Sequence, residues 1–370
     1  MIKHLLARPW RRHFACRVET RLDPCLRTPA KRRDESRRGR LRVCATLAAA
    51  ALAFAQTPVP RIAPNDLKAD VSFLASDELE GRATPSKGLD IAAEFIASQF
   101  RRAGLEPAGD DGYFQTAPLP GRLKPVTARN VAGILRGADP ALKDTYLVLT
   151  AHYDHLGILA NGEGDRIYNG ANDDASGTAS LIEIAQALMA LPARTKRSIV
   201  FIALFGEELG AIGSQYYVRH PLFPLAKTIA DVNLEQLGRT DDSEGTKLLQ
   251  FNLTGFDYTT MAETFQKAAG EVGVRAVNDA RNSHIYFGRS DNVSFANAGV
   301  PSTTVSVTYM FPDYHAVGDE WPKLDYGNMA KVDCALALAA FRLADSLDAP
   351  AWNAANPRTA RYVKAREAAK

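Results

Sequence analysis

Two glutamates, Glu207 and Glu208, stand side by side at the end of the run IVFIALFGEELG (Ile199–Gly210). The seven residues from Ile199 to Phe205 carry no polar side chain. That is the mark of a strand buried on both faces, as in a parallel sheet covered by helices. Burying an unpaired carboxylate is costly. The pair is therefore either solvated at a helix start, where acids are favoured, or faces something positive. Other segments carry groups of related chemistry. DTYLVLTAHYDH ends in His152, Tyr153, Asp154 and His155. Alternation along an extended segment puts His152 and Asp154 on one side, and an aspartate so placed can accept the second N–H of a ligating imidazole. NGANDDASGTAS carries Asn172, Asp173 and Asp174 into Ser176, IADVNLEQLGR ends with Glu235, and MFPDYHAVGDEW brings His315.

Taken alone, each has an ordinary reading: His152 as a structural histidine, the Asn-Asp-Asp run as a helix cap, the glutamates as a solvated first turn. Together, five segments deliver His, Asp, Glu-Glu, Glu and His, four of them at or just beyond predicted strand ends. Ligands in α/β sheets gather there. A two-metal site accounts for the set. Imidazole and carboxylate without thiolate suit Zn²⁺, with Mn²⁺ or Co²⁺ as substitutes. Two divalent ions would offset Asp173, Glu208, Glu235 and a hydroxide, whereas one would leave negative charge uncompensated. Adjacent extended residues point to opposite sides. Glu208 would then bind metal while Glu207 stays free as general base, moving a proton from metal-activated water to a leaving amine.

The elements that must position these residues follow from periodicity. LDIAAEFIASQFRRAGL puts Ile91, Ala92, Phe95, Ile96 and Phe100 on one helical stripe that Gly104 ends. Strands are predicted over Arg129–Gly137, Asp144–His155, Ser198–Phe205, Thr228–Leu234, Lys247–Leu253 and Ser302–Val307. Helices are predicted over Ser176–Leu191, Gly213–Arg219, Tyr258–Gly273 and Asn328–Ala344. Such alternation predicts an α/β three-layer sandwich, a mixed, mostly parallel central sheet flanked by helices.

Charge is unevenly spread. Residues 1–42 hold 14 Lys/Arg against 4 Asp/Glu, while the whole chain of 370 residues nets only +3. The body is thus mildly acidic, which argues against nucleic acid as its partner. Within the leader, RRGRLR (Arg37–Arg42) is basic, and VCATLAAAALAFA (Val43–Ala55) is apolar but too short to span a membrane. Ala53-Phe54-Ala55 supplies a small-x-small cleavage site. This reads as a signal peptide, implying a periplasmic or secreted protein with no stable membrane insertion after cleavage. The other reading is a short hydrophobic helix of the fold. Residues 1–42 read as a disordered leader or an over-extended gene start. Cys16, Cys25 and Cys44 fall in the leader, which leaves Cys334 and no disulfide framework. Residues 56–65 read as a Pro-rich linker, 66–347 as one catalytic domain, and 348–370 as a polar tail expected to fray.

HYD, NDDASG, FGEELGAIGS, NLEQLGR and SDNVSFANAGVPS…YHAVGDEW occur in the order and spacing of the zinc aminopeptidases of metallopeptidase family 28. SDELEGRATPSKGLDIAAEFIASQFRRAGLEP is similar to the lead-in of bacterial members, so the resemblance runs from Asp66 to Ala344. It implies a zinc-exopeptidase, phosphorylase/hydrolase-like fold, two Zn²⁺ per chain and peptide substrates. It further implies that His152 and Glu235 hold one zinc, Glu208 and His315 the other, and that Asp173 bridges them. Asp154 would orient His152, and Glu207 would be the acid/base. Tyr314 resembles a tyrosine that donates to the oxyanion in some members, and reads equally as a core tyrosine. A cis peptide is implied at Asp173–Asp174. His155, His220 and His284 read as non-ligands.

The chain departs from the family pattern in three places. NLEQLG stands where many members have NLDMIG, so Glu235 replaces an aspartate. SDN stands where many have SDH, so Asn292 would alter a substrate contact. The stretch from Gln115 to Arg129 is too short for an inserted protease-associated domain. The leading expectation is an exported di-zinc aminopeptidase. The alternatives are a glutaminyl cyclase on the same scaffold, using one zinc, a carboxypeptidase, for which Arg289 is the nearby cation, and a non-catalytic binding module, against which the intact ligand set argues.

Overall fold

The apolar runs become the centre of one nine-stranded sheet. The structure, a computed structural model, describes residues 59–119, 121 and 126–369. The segments read as a leader and a signal peptide, and the first residues of the expected linker, lie outside the described residues. In chain order the strands are β1 (Glu106–Pro107), β2 (Phe114–Pro118), β3 (Thr127–Leu135), β4 (Tyr146–His152), β5 (Ser198–Leu204), β6 (Thr228–Leu234), β7 (Gln250–Leu253), β8 (Arg275–Val277) and β9 (Ser302–Ser306). Their spatial order is β1-β3-β5-β4-β6-β9-β7-β8, with β2 also on β3. The four central strands β5, β4, β6 and β9 run parallel, with His152 level with Leu204 and Leu234 level with Val305. Antiparallel pairing enters where β3 joins β5 and where β7 joins β9. The sheet is therefore mixed, with a parallel core. That core aligns the carboxyl ends of four strands along one edge, where the candidate residues lie.

Every residue of β4, β5, β6 and β9 is buried, because helices cover both faces. Alternation splits the side chains. Leu147, Leu149, Ile199 and Phe201 join a core with α1 (Pro64–Leu74), α2 (Lys87–Ala103), α3 (Ser176–Met189) and, further along the sheet, α5 (Ala262–Glu271) and α7 (Tyr326–Asp345). Tyr146, Val148, Val200 and Ile202 face Tyr217 of α4 (Ile212–Arg219) and Phe295 of α6 (Asn292–Asn297). Each such buried side chain contributes roughly 1.5–3 kcal/mol.

Local signals set the boundaries. Ser86 Oγ accepts from the N–H of Leu89 to start α2, and left-handed Gly104 ends it. Asp325 caps α7 in the same way. Two expectations are corrected. Helix α1 begins at Pro64, inside the expected linker, since proline suits a first helical turn. The tail does not fray: Trp352 donates to Gly299 O at 3.0 Å and stacks on Tyr362 of α8 (Ala360–Ala368) with ring centroids 4.8 Å apart. Asn353 and Asn356 also donate to Asp257, and Arg366 donates to Leu225 O. Among the described residues no helix is long and apolar enough to cross a membrane.

Asp70 of α1 and Glu183 of α3 meet in this helix layer. Burial, then the neighbouring charge of Glu183, pushes Asp70 up to about 8. A carboxyl raised in the folded chain binds a proton that the unfolded chain releases near ~4. Its contribution to stability is therefore present below that value and lost as pH rises toward about 8. Asp70→Asn is expected to flatten the fall in stability across that window, measured as urea midpoints against pH beside the parent chain.

Candidate metal centre

Asp173 sits at the middle of the site. Its Oδ1 is 3.2 Å from His152 Nε2, and its Oδ2 is 3.1 Å from His315 Nε2. His152, Asp173 and Glu235 each place a ligand atom within 4.8 Å of the others. So do His155, Asp173 and Glu208, and Glu208 Oε1 also lies 3.3 Å from His315 Nε2. One carboxylate thus belongs to both groups. All five residues expected to hold metal converge.

The chemistry of the donor set fits a metal. His152 Nε2 and Glu208 Oε1 are buried and have no hydrogen-bond partner among the described residues. Buried polar atoms are seldom left so, and both belong to residue types that ligate zinc. The residues present therefore fit the expected ion.

The NDDAS loop divides the work. Only Asp173 turns into the site. Asn172 Oδ1 accepts from the N–H groups of Gly238 and Arg239, both at 2.9 Å. Asp174 Oδ1 accepts from Gly177 N at 3.0 Å and Gln236 N at 3.1 Å, and Ser176 Oγ accepts from Leu237 N at 2.9 Å. The run thus caps α3 and ties down the loop that follows Glu235. Gly177 has no room for a side chain, since a Cβ would stand 2.4 Å from Asp174 and from Leu234 O. The Asp173–Asp174 peptide is cis.

Two residues outside the expected set hold this loop. Asp319 accepts the N–H groups of Asn172 and Asp173 at 3.0 Å. Fully buried Arg82 donates to Tyr153 O at 2.8 Å, Asn169 O at 2.7 Å, Gly170 O at 3.0 Å and to Leu74 O. It joins the end of α1, the strand bearing His152 and the loop before Asp173. Its signal in the sequence was faint, a lone arginine in DELEGRATP.

The two glutamates sit on a turn, not on extended backbone. Gly206 takes φ 71°, and Gly210 and Ala211 both donate to Glu207 O. The backbone here is not extended, so strand alternation is not what distinguishes the two glutamates. Their environments differ. Burial, reinforced by the charges of Glu235, Asp291 and Glu208, pushes Glu207 well above the carboxylate range. Burial acts on Glu208 too, but His155 and His315 outweigh it and hold that group low. Burial raises Glu235 to about 7. His152 and His315 keep Asp173 low against its burial.

Other expected residues fall less simply. Asp154 keeps its carboxylate 3.7 Å from His152 Nδ1, while its backbone carbonyl is nearer at 3.2 Å. The carboxylate instead accepts from Glu207 N at 3.1 Å, so it positions the glutamate turn. Tyr314 stacks on His315 with centroids 4.1 Å apart and lines a small cavity with Glu235, Tyr286, Arg289 and Tyr309. Asn292 is fully buried, donating to Phe287 O and accepting from Thr304. It therefore fixes the loop before α6 to β9. His155, read as a non-ligand, lies within the cluster. His220 and His284 do not. A larger cavity of about 550 Å³ opens beside Glu207, between α4 and α6, with Gln215, Arg219, Arg289 and Asn297 on its walls.

The family model "Peptidase family M28" matches residues 130–340. "Aminopeptidase YwaD" of Bacillus subtilis is 31% identical over 177 residues, which are 48% of this chain and 35% of that protein. The chain spans about a third to a half of the length of such curated relatives. Among solved structures, the LapA aminopeptidase of Legionella pneumophila superposes with a TM-score of 0.62 at 21% identity, over 78% of this chain and 73% of that one. A glutaminyl cyclase from Porphyromonas gingivalis superposes with a TM-score of 0.59 at 17% identity, over 75% and 98%. At these identities the structures establish the fold alone.

Arg82→Met would leave three buried carbonyls, those of Leu74, Tyr153 and Asn169, without this donor, while Gly170 O keeps the N–H of Ala175. At roughly 1–3 kcal/mol for each unsatisfied group, the expected loss of stability exceeds about 3 kcal/mol by urea denaturation. Zinc affinity, measured by titration, is expected to fall about 10–100-fold, the usual cost of a lost supporting contact.

Proposed function

The chain belongs to peptidase family M28, and from that premise we propose that it is an exported di-zinc aminopeptidase, a hydrolase that removes N-terminal residues from peptides. The observation that carries the reading is the pair of ligand groups sharing Asp173 beside a glutamate, Glu207, that belongs to neither. His152, Asp173 and Glu235 would hold one ion, and Asp173, Glu208 and His315 the other. Zinc bound there supplies a Lewis acid that polarises a carbonyl and makes water acidic enough to act near neutral pH.

The chain's own residues do the rest. Glu207 accepts the proton of the attacking water and returns it to the departing amine. A carboxyl pushed up by burial is suited to that exchange, because a general base works best near the operating pH. Asp154 steadies it through the Glu207 N–H. Tyr314, half-buried beside Glu235, donates to the oxygen that gains charge. Glu235 keeps a carboxylate where many relatives have aspartate. The cavity beside Glu207 receives the remainder of the peptide. Export belongs to the same proposal, supported by the basic Arg37–Arg42 and the apolar Val43–Ala55.

Arg219 and Arg289 on that cavity wall favour a second reading, a carboxypeptidase that grips a substrate carboxylate. Peptides with an acetylated N-terminus separate the two, since only a carboxypeptidase should cleave them. The aminopeptidase reading expects about two zinc ions per chain by elemental analysis and chelator-sensitive release from aminoacyl-nitroanilides. One zinc without release would favour a cyclase.

Glu207→Gln is expected to lower kcat about 10²–10⁴-fold with zinc content unchanged. A fully active variant would remove Glu207 from the mechanism.

A further inference from the structure

His155 lies inside the metal centre, and the reading above leaves it idle. We propose that His155 is a metal ligand, the fourth protein ligand of the ion assigned to Asp173, Glu208 and His315. The proposal rests on the two-ion reading of the site.

The imidazole and its neighbour are close without being paired. His155 Nδ1 stands 2.8 Å from Glu208 Oε1, yet both atoms are buried and neither makes a hydrogen bond among the described residues. His152 Nε2 shows the same relation to Asp173 Oδ1 at 3.2 Å, and that residue is already assigned to an ion. In both places a ring nitrogen and a carboxylate oxygen converge without the alignment a hydrogen bond needs. Donors that converge in this way are aimed at a common third body. His155 Nε2 has no partner among the described residues either. A structural histidine with neither nitrogen satisfied would be an anomaly in a buried site.

The ring is also held in place. The backbone N–H of His155 donates to Arg82 O at 3.3 Å. Gly170 passes beneath the imidazole so closely that a Cβ there would stand 2.5 Å from it. The ring of His315 meets it edge-on, with centroids 5.6 Å apart. His155 is 2% exposed, whereas the side chain of His315 is 35% exposed. The buried imidazole therefore makes the second site less dependent on its solvent-facing ligand.

One strand end would then serve both ions, His152 on one and His155 on the other. The centre becomes unequal. One ion is held by one imidazole and two carboxylates, the other by two imidazoles and two carboxylates, with Asp173 common to both. The second ion is accordingly the harder to remove.

The test uses the full chain. With Co²⁺ in both sites, the exchangeable imidazole protons of ligating histidines give shifted proton NMR resonances. Three are expected if His152, His155 and His315 all ligate, and two would overturn the proposal. The variant His155→Gln keeps hydrogen-bonding capacity toward Glu208 but is a poor zinc ligand. It is expected to weaken one of two zinc-binding steps by more than about 100-fold, beyond the 10–100-fold cost of a lost supporting contact, and to leave the other step unchanged. Two zinc ions bound at parental affinity in this variant would overturn the assignment of His155 alone. Fewer than two ions in the parent chain would overturn the two-ion reading, and this proposal with it.

Discussion

The carboxylate of Asp173 lies between two imidazoles, 3.2 Å from His152 on one oxygen and 3.1 Å from His315 on the other, and the rest of the site is arranged around keeping it there. Glu208 and Glu235 each join it in a different ligand group. Three carboxylates at such spacing repel one another, and strongly where water is scarce. Nothing in the side chains themselves would gather them. The main chain does so, held by hydrogen bonds that do not involve the acids' reactive oxygens.

Those bonds run mostly from loop to loop. Asn172, Asp174 and Ser176 grip the segment after Glu235, and Asp319 grips the segment carrying Asp173. Arg82 ties the approach to Asp173 to the strand end of His152. Non-glycine residues with left-handed backbone collect here as well: Arg82 at φ 48°, Gln236 at 56° and His315 at 53°. Such conformations persist where the surroundings over-determine them. The parallel strands provide a common edge, and the loops above it hold each other.

The two adjacent glutamates show how environment separates like groups. Burial and neighbouring charge drive Glu207 toward its neutral form, while His155 and His315 keep Glu208 ionised. Groups whose protonation is driven apart in this way can take different roles in one site. That division suits the proposed assignment of Glu208 to metal and Glu207 to proton transfer. It arises from what each carboxyl meets, Glu207 the charges of Glu235 and Asp291, Glu208 the imidazoles of His155 and His315.

Much of this was legible from residue order. Strands covered on both faces favour near-continuous apolar runs, so IVFIALF and TYLVLTA declared themselves, and with them the strand ends where polar residues cluster. The positions expected to hold metal and the expected base stood out because acids and histidines at those ends break the apolar pattern. The polar tail misled because Trp352 and Tyr362 find partners only in the folded chain. His155, Arg82 and Asp319 escaped for a related reason. Each acts on residues far from it in sequence, or through backbone carbonyls and N–H groups that periodicity does not reveal. Asn292 likewise turned inward, to partners on β9 and the loop before α6. Residue order by itself determined which segments are strands and which of their ends carry metal-binding chemistry. Only the tertiary structure decided which acid faces two histidines, which glutamate turns aside, and that a further imidazole joins them, because those outcomes depend on distances set by loops packing on one another.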